Sequence, residues 1–271
     1  MADAGIHQVD SATRLTAEHR GDVVICGSHG GVYPAFLAAE AGVRAVILND
    51  AGVGLERAGL GCLDYCERLG MAAATAAHDS ARIGDGRDMA ARGRISHVNR
   101  IAAGLGCVRG QSVADAAARL LDAALEAWRP PAYQEARTVL DHPGERRVVC
   151  LDSASLIGAE DSGEIVLTGS HGGLLGGDPA AALKADPMMA FFNDAGIGID
   201  DAGVGRLAAL DQRGVIAVTV DCMTARIGDG LSTYRQGVVS RVNERARAHA
   251  LSPGMTARDA VDRMQSTQGA R

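Results

Sequence analysis

The chain has 271 residues, 47% hydrophobic and 22% charged, a composition that excludes disordered and fibrous classes. A net charge of −6 and only 3% aromatics exclude the basic footprint and the base-stacking platforms of a nucleic-acid binder. No run approaches the roughly 20 apolar residues that cross a bilayer, residues 1–21 carry charges throughout, and six cysteines are too few for a disulfide scaffold, so a cytoplasmic protein without a membrane partner is expected.

In chain order, the apolar pattern predicts a short strand at 7–9 and a buried strand at 23–26. A helix at 35–41, a strand at 45–48, a helix at 62–69 and a strand at 71–76 follow. After Arg82-Ile83-Gly84-Asp85-Gly86, one long helix containing Val98 is expected, then a last helix at 113–125 capped by Ser112. Trp128-Arg129-Pro130-Pro131 and His142-Pro143-Gly144-Glu145 break any helix and mark a connector. The pattern then restarts, with strands at 148–151 and 165–168 and a helix at 180–184 led by Asp178-Pro179. A strand at 189–192, a helix at 206–212 and a strand at 215–220 come next. A long helix containing Val242 and a helix at 257–264 capped by Thr256 complete the pattern, and the tail beyond is expected to fray.

The restart extends to the motifs. Asp10-Ser11-Ala12 returns as Asp152-Ser153-Ala154, and Gly27-Ser28-His29-Gly30-Gly31 as Gly169-Ser170-His171-Gly172-Gly173. Asn49-Asp50-Ala51-Gly52 returns as Asn193-Asp194-Ala195-Gly196, and the Arg-Ile-Gly-Asp-Gly turn at Arg226 to Gly230. The offset is 142 residues at Ser28/Ser170 and 144 at Asp50/Asp194, which places two added residues near Gly176-Gly177. We read an internal duplication: a first α/β repeat at 1–127, a connector at 128–146 and a second repeat at 147–271. Alternating strands and helices imply a mainly parallel arrangement with helices on both faces. The expected fold is two open α/β lobes related by a pseudo-two-fold axis, either separate or sharing one sheet.

Every repeated motif begins where a predicted strand stops, which is where open parallel sheets bind ligands. Convergence at those strand ends nominates His29, His171, Asp50, Asp194, Ser28 and Ser170 as catalytic. It nominates Gly30, Gly31, Gly172, Gly173, Asn49, Asn193, Arg82 and Arg226 as substrate-binding. The glycines would offer N–H groups to an anion, the arginines a bidentate grip, and Asp50 or Asp194 would orient an imidazole. The plainer alternatives are a tight turn whose serine caps a helix, an Asx turn at Asn-Asp, and ion pairs at the arginines. Asp85 and Asp229 read as helix N-caps or site residues. The copies differ at Ala77/Asp221, His78/Cys222 and Asp79/Met223, while Tyr33 and Tyr234 lack counterparts. Cys62 and Cys66 read as core, and Gly52-Val53-Gly54 lacks the remainder of a dinucleotide fingerprint.

A strand ending in Ser-His-Gly resembles the histidine motif of caspase-like peptidases, but the next strands end in Asn49-Asp50-Ala51 and Asn193-Asp194-Ala195, without the cysteine. Repeated lobes with a strand-end serine also resemble the cyclic-amide hydrolases of the cyanuric acid type. Those have three copies with a lysine in each, whereas this chain has two copies and a single lysine, Lys184. From the residues alone, the expected function is a cofactor-independent hydrolase or lyase acting on a small carboxylate-bearing metabolite, with His29 or His171 moving protons. Alternatives are a divalent-metal hydrolase using His29, Asp50 and Asp85 or their equivalents in the second repeat, and a non-catalytic binder of a small anion. A homo-oligomer is compatible with such sheets.

Overall fold

A computed structural model describes residues 4–126 and 129–266; the N-terminal residues 1–3, Trp128 and the end of the tail lie outside them. The first sheet has five strands in the order β1 (Ile6–Val9), β2 (Val23–His29), β3 (Ala45–Asn49), β4 (Ala72–Ala76) and β5 (Ile95–Val98). The first four run parallel and β5 is antiparallel to β4. Side chains of β2 and β3 alternate between two buried faces: Val24, Cys26, Val46 and Leu48 on one, Val23, Ile25, Ala45 and Ile47 on the other. Helices α1 (Val32–Ala41) and α2 (Gly61–Leu69) cover the first face. The second is covered by α3 (Gly86–Arg92), α4 (Arg100–Gly104) and α5 (Val113–Leu120). Burial on both faces is why these strands read as unbroken apolar runs.

The connector contributes β6 (Arg137–Leu140), antiparallel to β7 (Val148–Leu151) at the edge of a second sheet. This sheet continues through β8 (Ile165–His171), β9 (Met189–Asn193), β10 (Ile216–Val220) and the antiparallel β11 (Val239–Val242). Helix α6 (Arg206–Gln212) lies on one face, and α7 (Gly230–Gln236), α8 (Glu244–Ala248) and α9 (Ala257–Ser266) on the other. The molecule is therefore α/β with two separate mixed, mostly parallel sheets, not one continuous sheet.

Two helix expectations are corrected. The long helices through Val98 and Val242 do not exist. The amides of Gly93 and Gly237 close α3 and α7, and the β-branched residues that follow pair with β4 and β10 instead. Residues 180–184 form no α-helix either: Asp178 caps a single 3-10 turn at Pro179–Ala181. Gly176 and Gly177, both at positive φ, and Pro187 leave that segment no room for a longer element. The caps themselves form as expected, Ser112 on the Asp115 amide and Thr256 on the Asp259 amide.

The sheets meet through their Asn-Asp-Ala-Gly turns. Gly52 and Gly196 approach so closely that a Cβ on either would stand 2.8 Å from the Cα of the other, and both have positive φ. Around them the contacts are reciprocal: Leu55 N–H donates to Cys222 O at 2.8 Å and Ile199 N–H to His78 O at 3.0 Å. Ala51, Ile83, Ala195 and Ile227 form a small apolar cluster there. Ion pairs flank it, Arg82 and Arg92 to Asp200 at 2.8 and 2.7 Å, and Arg226 to Glu56 at 2.9 Å. Val53 and Ile197 hold φ of 64° and 63°, a costly conformation for β-branched residues that the surrounding turn enforces. Gly196→Ala should destabilise the protein by about 3 kcal/mol. Gly110→Ala, at positive φ but with open space around it, should cost about 1 kcal/mol; urea unfolding of both variants measures the contrast.

Candidate active site

One cleft of about 910 Å³ lies between the two sheets, and both Ser-His turns line it. Ser28 and Ser170, His29 and His171, Gly31, Arg226 and Asp229 are the expected site residues that reach its wall. β2 and β8 carry the serines to their ends, where Ser28 Oγ accepts the Ala12 N–H at 2.9 Å and Ser170 Oγ the Ala154 N–H at 2.8 Å. Each Asp-Ser-Ala motif is thereby tied to its Ser-His motif. Neither serine hydroxyl is hydrogen-bonded to the neighbouring imidazole, so neither has an in-place base of its own.

The histidine rings share a geometry. Nδ1 of His29 accepts the Gly31 N–H at 3.1 Å, and Nδ1 of His171 accepts the Gly173 N–H at 3.2 Å. An accepting Nδ1 assigns the proton of a neutral ring to Nε2. Burial pushes His29 down to about 4 and His171 well below the ordinary range, the latter helped by the charges of Arg206 and His29. Each ring reaches the other lobe: Cε1 of His29 lies beside Gly228, and Cε1 of His171 beside Gly84. At neutral pH the cleft therefore holds two uncharged imidazoles, each with an Nε2–H to donate.

Several expected site residues are used by the fold instead. The Gly30 and Gly172 amides donate to Asn49 O and Asn193 O, and those of Gly31 and Gly173 to the imidazoles, so all four N–H groups are spent internally. Asn49 and Asn193 are fully buried; each accepts an amide two residues on and donates to the carbonyl of Ala81 or Ala225. Asp50 does not orient His29. It accepts from Nδ1 of His78 at 2.8 Å and from the His78 and Gly52 amides. Burial pushes the Asp50 carboxyl up, but His78 more than offsets this and leaves it below the usual carboxylate range, while the hydrogen bond to Asp50 raises His78. Asp194 accepts from the Gly196 and Cys222 amides. Arg82 is bound to Asp88 and Asp200 outside the cleft, and Arg226 to Asp229 and Glu56 at its wall. Asp85 and Asp229 cap α3 and α7.

The three residues of the metal reading, His29, Asp50 and Asp85, are not brought together; they lie in the cleft, on His78 and on α3 respectively. Asp194, Asp221 and Cys222 each offer an atom within 4.8 Å of the others, and burial pushes the Cys222 thiol up to about 12. Cys62 and Cys66 are buried core thiols, as expected.

Two cleft residues escaped the sequence reading. Glu135, in the connector, lines the cleft with Tyr33 and Tyr133; burial first, then the charge of Asp152, raises its carboxyl to about 7. Tyr33 and Ser153 beside it partly offset that rise. Its backbone is clamped next door, where the Ala136 amide donates to Asp152 at 2.8 Å and Arg137 grips the buried Asp161 carboxylate with two nitrogens. The other is Arg206, the first residue of α6, buried and lining the cleft beside His171. The comparison of the copies held the signal for Arg206, which stands where the first has Cys62; Glu135 lies outside both copies and gave none. No family model, curated protein or solved structure matches the chain.

The depressed histidines couple stability to pH. His29 is neutral when folded down to about 4, whereas an unfolded histidine protonates near 6.5. Its contribution is therefore complete above 6.5 and is lost as pH falls towards 4, at about 1.4 kcal/mol per pH unit. The stability difference between the wild type and His29→Asn, measured by urea unfolding at pH 6.5 and 4.5, should shift by roughly that slope in favour of the variant at low pH.

Proposed function

We propose that the protein is a cofactor-independent hydrolase or lyase that acts on a small carboxylate-bearing metabolite in the cleft between its two lobes. The observation that carries this reading is the convergence of both Ser-His turns on one cleft that also holds a half-buried carboxyl titrating near neutrality. The histidines serve as hydrogen-bond donors and not as the proton carriers that the sequence suggested. With Nδ1 engaged by a backbone amide and the ring held neutral, Nε2–H is positioned to polarise a carbonyl or stabilise a developing oxyanion. They take the place of the glycine amides, which are already bonded.

Proton transfer falls to Glu135. A carboxyl raised to about 7 is half ionised at neutral pH and balances basicity against availability. It serves as the base, drawing a proton from a bound water in a hydrolysis or from substrate carbon in an elimination. Tyr33 and Ser153 flank it in the cleft wall. Six free, buried cysteines favour a reducing cytoplasm as its compartment, and no helix among the described residues is long and apolar enough to cross a membrane.

The test is a turnover screen of small carboxylate esters, amides and hydroxy acids, followed by NMR. His29→Ala and His171→Ala should each lower kcat/KM by about a hundredfold. For the wild type, kcat/KM should rise with pH through about 7 and then level off, and Glu135→Gln should abolish that limb. Unchanged turnover in the double histidine variant sinks the proposal, and binding without turnover across the panel turns the reading into that of a small-anion binder.

A further inference from the structure

The cleft contains one buried cation that, among the described residues, has no carboxylate partner. Arg206 is only 5% exposed, yet burial alone acts on its guanidinium, lowering it to about 10. It therefore remains a cation at neutral pH. Nε donates to Gly173 O at 2.9 Å, and the guanidinium lies 5.1 Å from the centre of the Phe192 ring. Among the described residues no carboxylate is paired with it, in contrast to Arg226, which is held by both Asp229 and Glu56. A desolvated cation without a counter-ion lowers stability, and proteins keep such groups where a ligand supplies the missing charge.

We infer that Arg206 anchors the substrate of this cleft by taking a single carboxylate on the Nη1–Nη2 edge of its guanidinium. The inference rests on the reading of the cleft as a substrate site and names the group by which substrate is held. With Nε committed to Gly173, the remaining edge presents two parallel N–H donors whose spacing matches carboxylate oxygens. His171, adjacent and neutral, adds a donor without adding charge. One buried positive charge is neutralised by one negative charge. A phosphate dianion would bring a second negative charge that this one guanidinium does not balance. A carboxylate held by Arg206 fixes which end of the substrate meets the second lobe, to which α6 belongs.

The experiment titrates the whole chain with acetate, with acetamide as neutral isostere and methylphosphonate, held above its second ionisation, as dianion. Nitrogen-detected NMR follows the Arg206 Nε–H and the His171 ring. Acetate should shift both resonances saturably, acetamide should not, and methylphosphonate should bind at least about tenfold more weakly than acetate. Arg206→Lys should weaken acetate binding about tenfold. Arg206→Met should abolish it while raising Tm, because the uncompensated charge leaves the empty cleft; a merely structural arginine would lower Tm on removal. Acetate binding undiminished in Arg206→Met, or acetamide binding as tightly as acetate, overturns the inference. Should that variant not fold, the wild-type titration decides: resonances unmoved by acetate overturn it as well. Saturable acetate binding in a protein that turns over no substrate supports the anchor and removes only the enzymatic reading.

Discussion

The close approach of Gly52 to Gly196 governs this molecule. Two backbones meet where no side chain fits, and around that point the amides of Leu55 and Ile199 exchange hydrogen bonds with the carbonyls of Cys222 and His78. To reach it, both Asn-Asp-Ala-Gly turns hold residues at positive φ, and Asn49 and Asn193 are spent on stabilising those turns. The strain is local; its return is global. Because the sheets are locked at that distance, each Ser-His turn lies against the other lobe's Arg-Ile-Gly-Asp-Gly turn, and the space between them becomes one cleft.

Much of the architecture was legible in the sequence because buried parallel strands announce themselves as short apolar runs ended by glycine or polar residues. The strands at β2, β3, β4, β8, β9 and β10 fall where the pattern put them. The antiparallel β5 and β11 were hidden because four residues with two β-branched members also suit a helix, and only tertiary pairing with β4 and β10 decides between the two. Residues 180–184 have helical composition, but Gly176, Gly177 and Pro187 confine them to one turn.

The site was legible in part, and the errors have a common physical origin. Sequence shows which polar groups arrive at a strand end but not which are already bonded there. The four glycine amides, Asn49, Asn193, Asp50 and Arg82 all arrive, and all are consumed by the fold. What stays available was less visible: the Nε2 edges of two neutral imidazoles, a carboxyl from the connector, and a lone guanidinium at the place of Cys62. The repeated motifs build the frame, and residues that are not repeated, Glu135 and Arg206, supply its unpaired carboxyl and guanidinium.

The segment joining the lobes is more than a tether. By pairing as β6 with β7 and anchoring Arg137 on Asp161, it delivers Glu135 to the cleft wall from outside either repeat. On the proposed reading, a rearranged gene encoding the two repeats without the segment between them would still yield the walls of the chamber and its anion grip, yet forfeit the reagent. Selection for activity would then act on the continuity of the chain itself, and the linker would tolerate fewer changes than its exposed, proline-rich sequence implies.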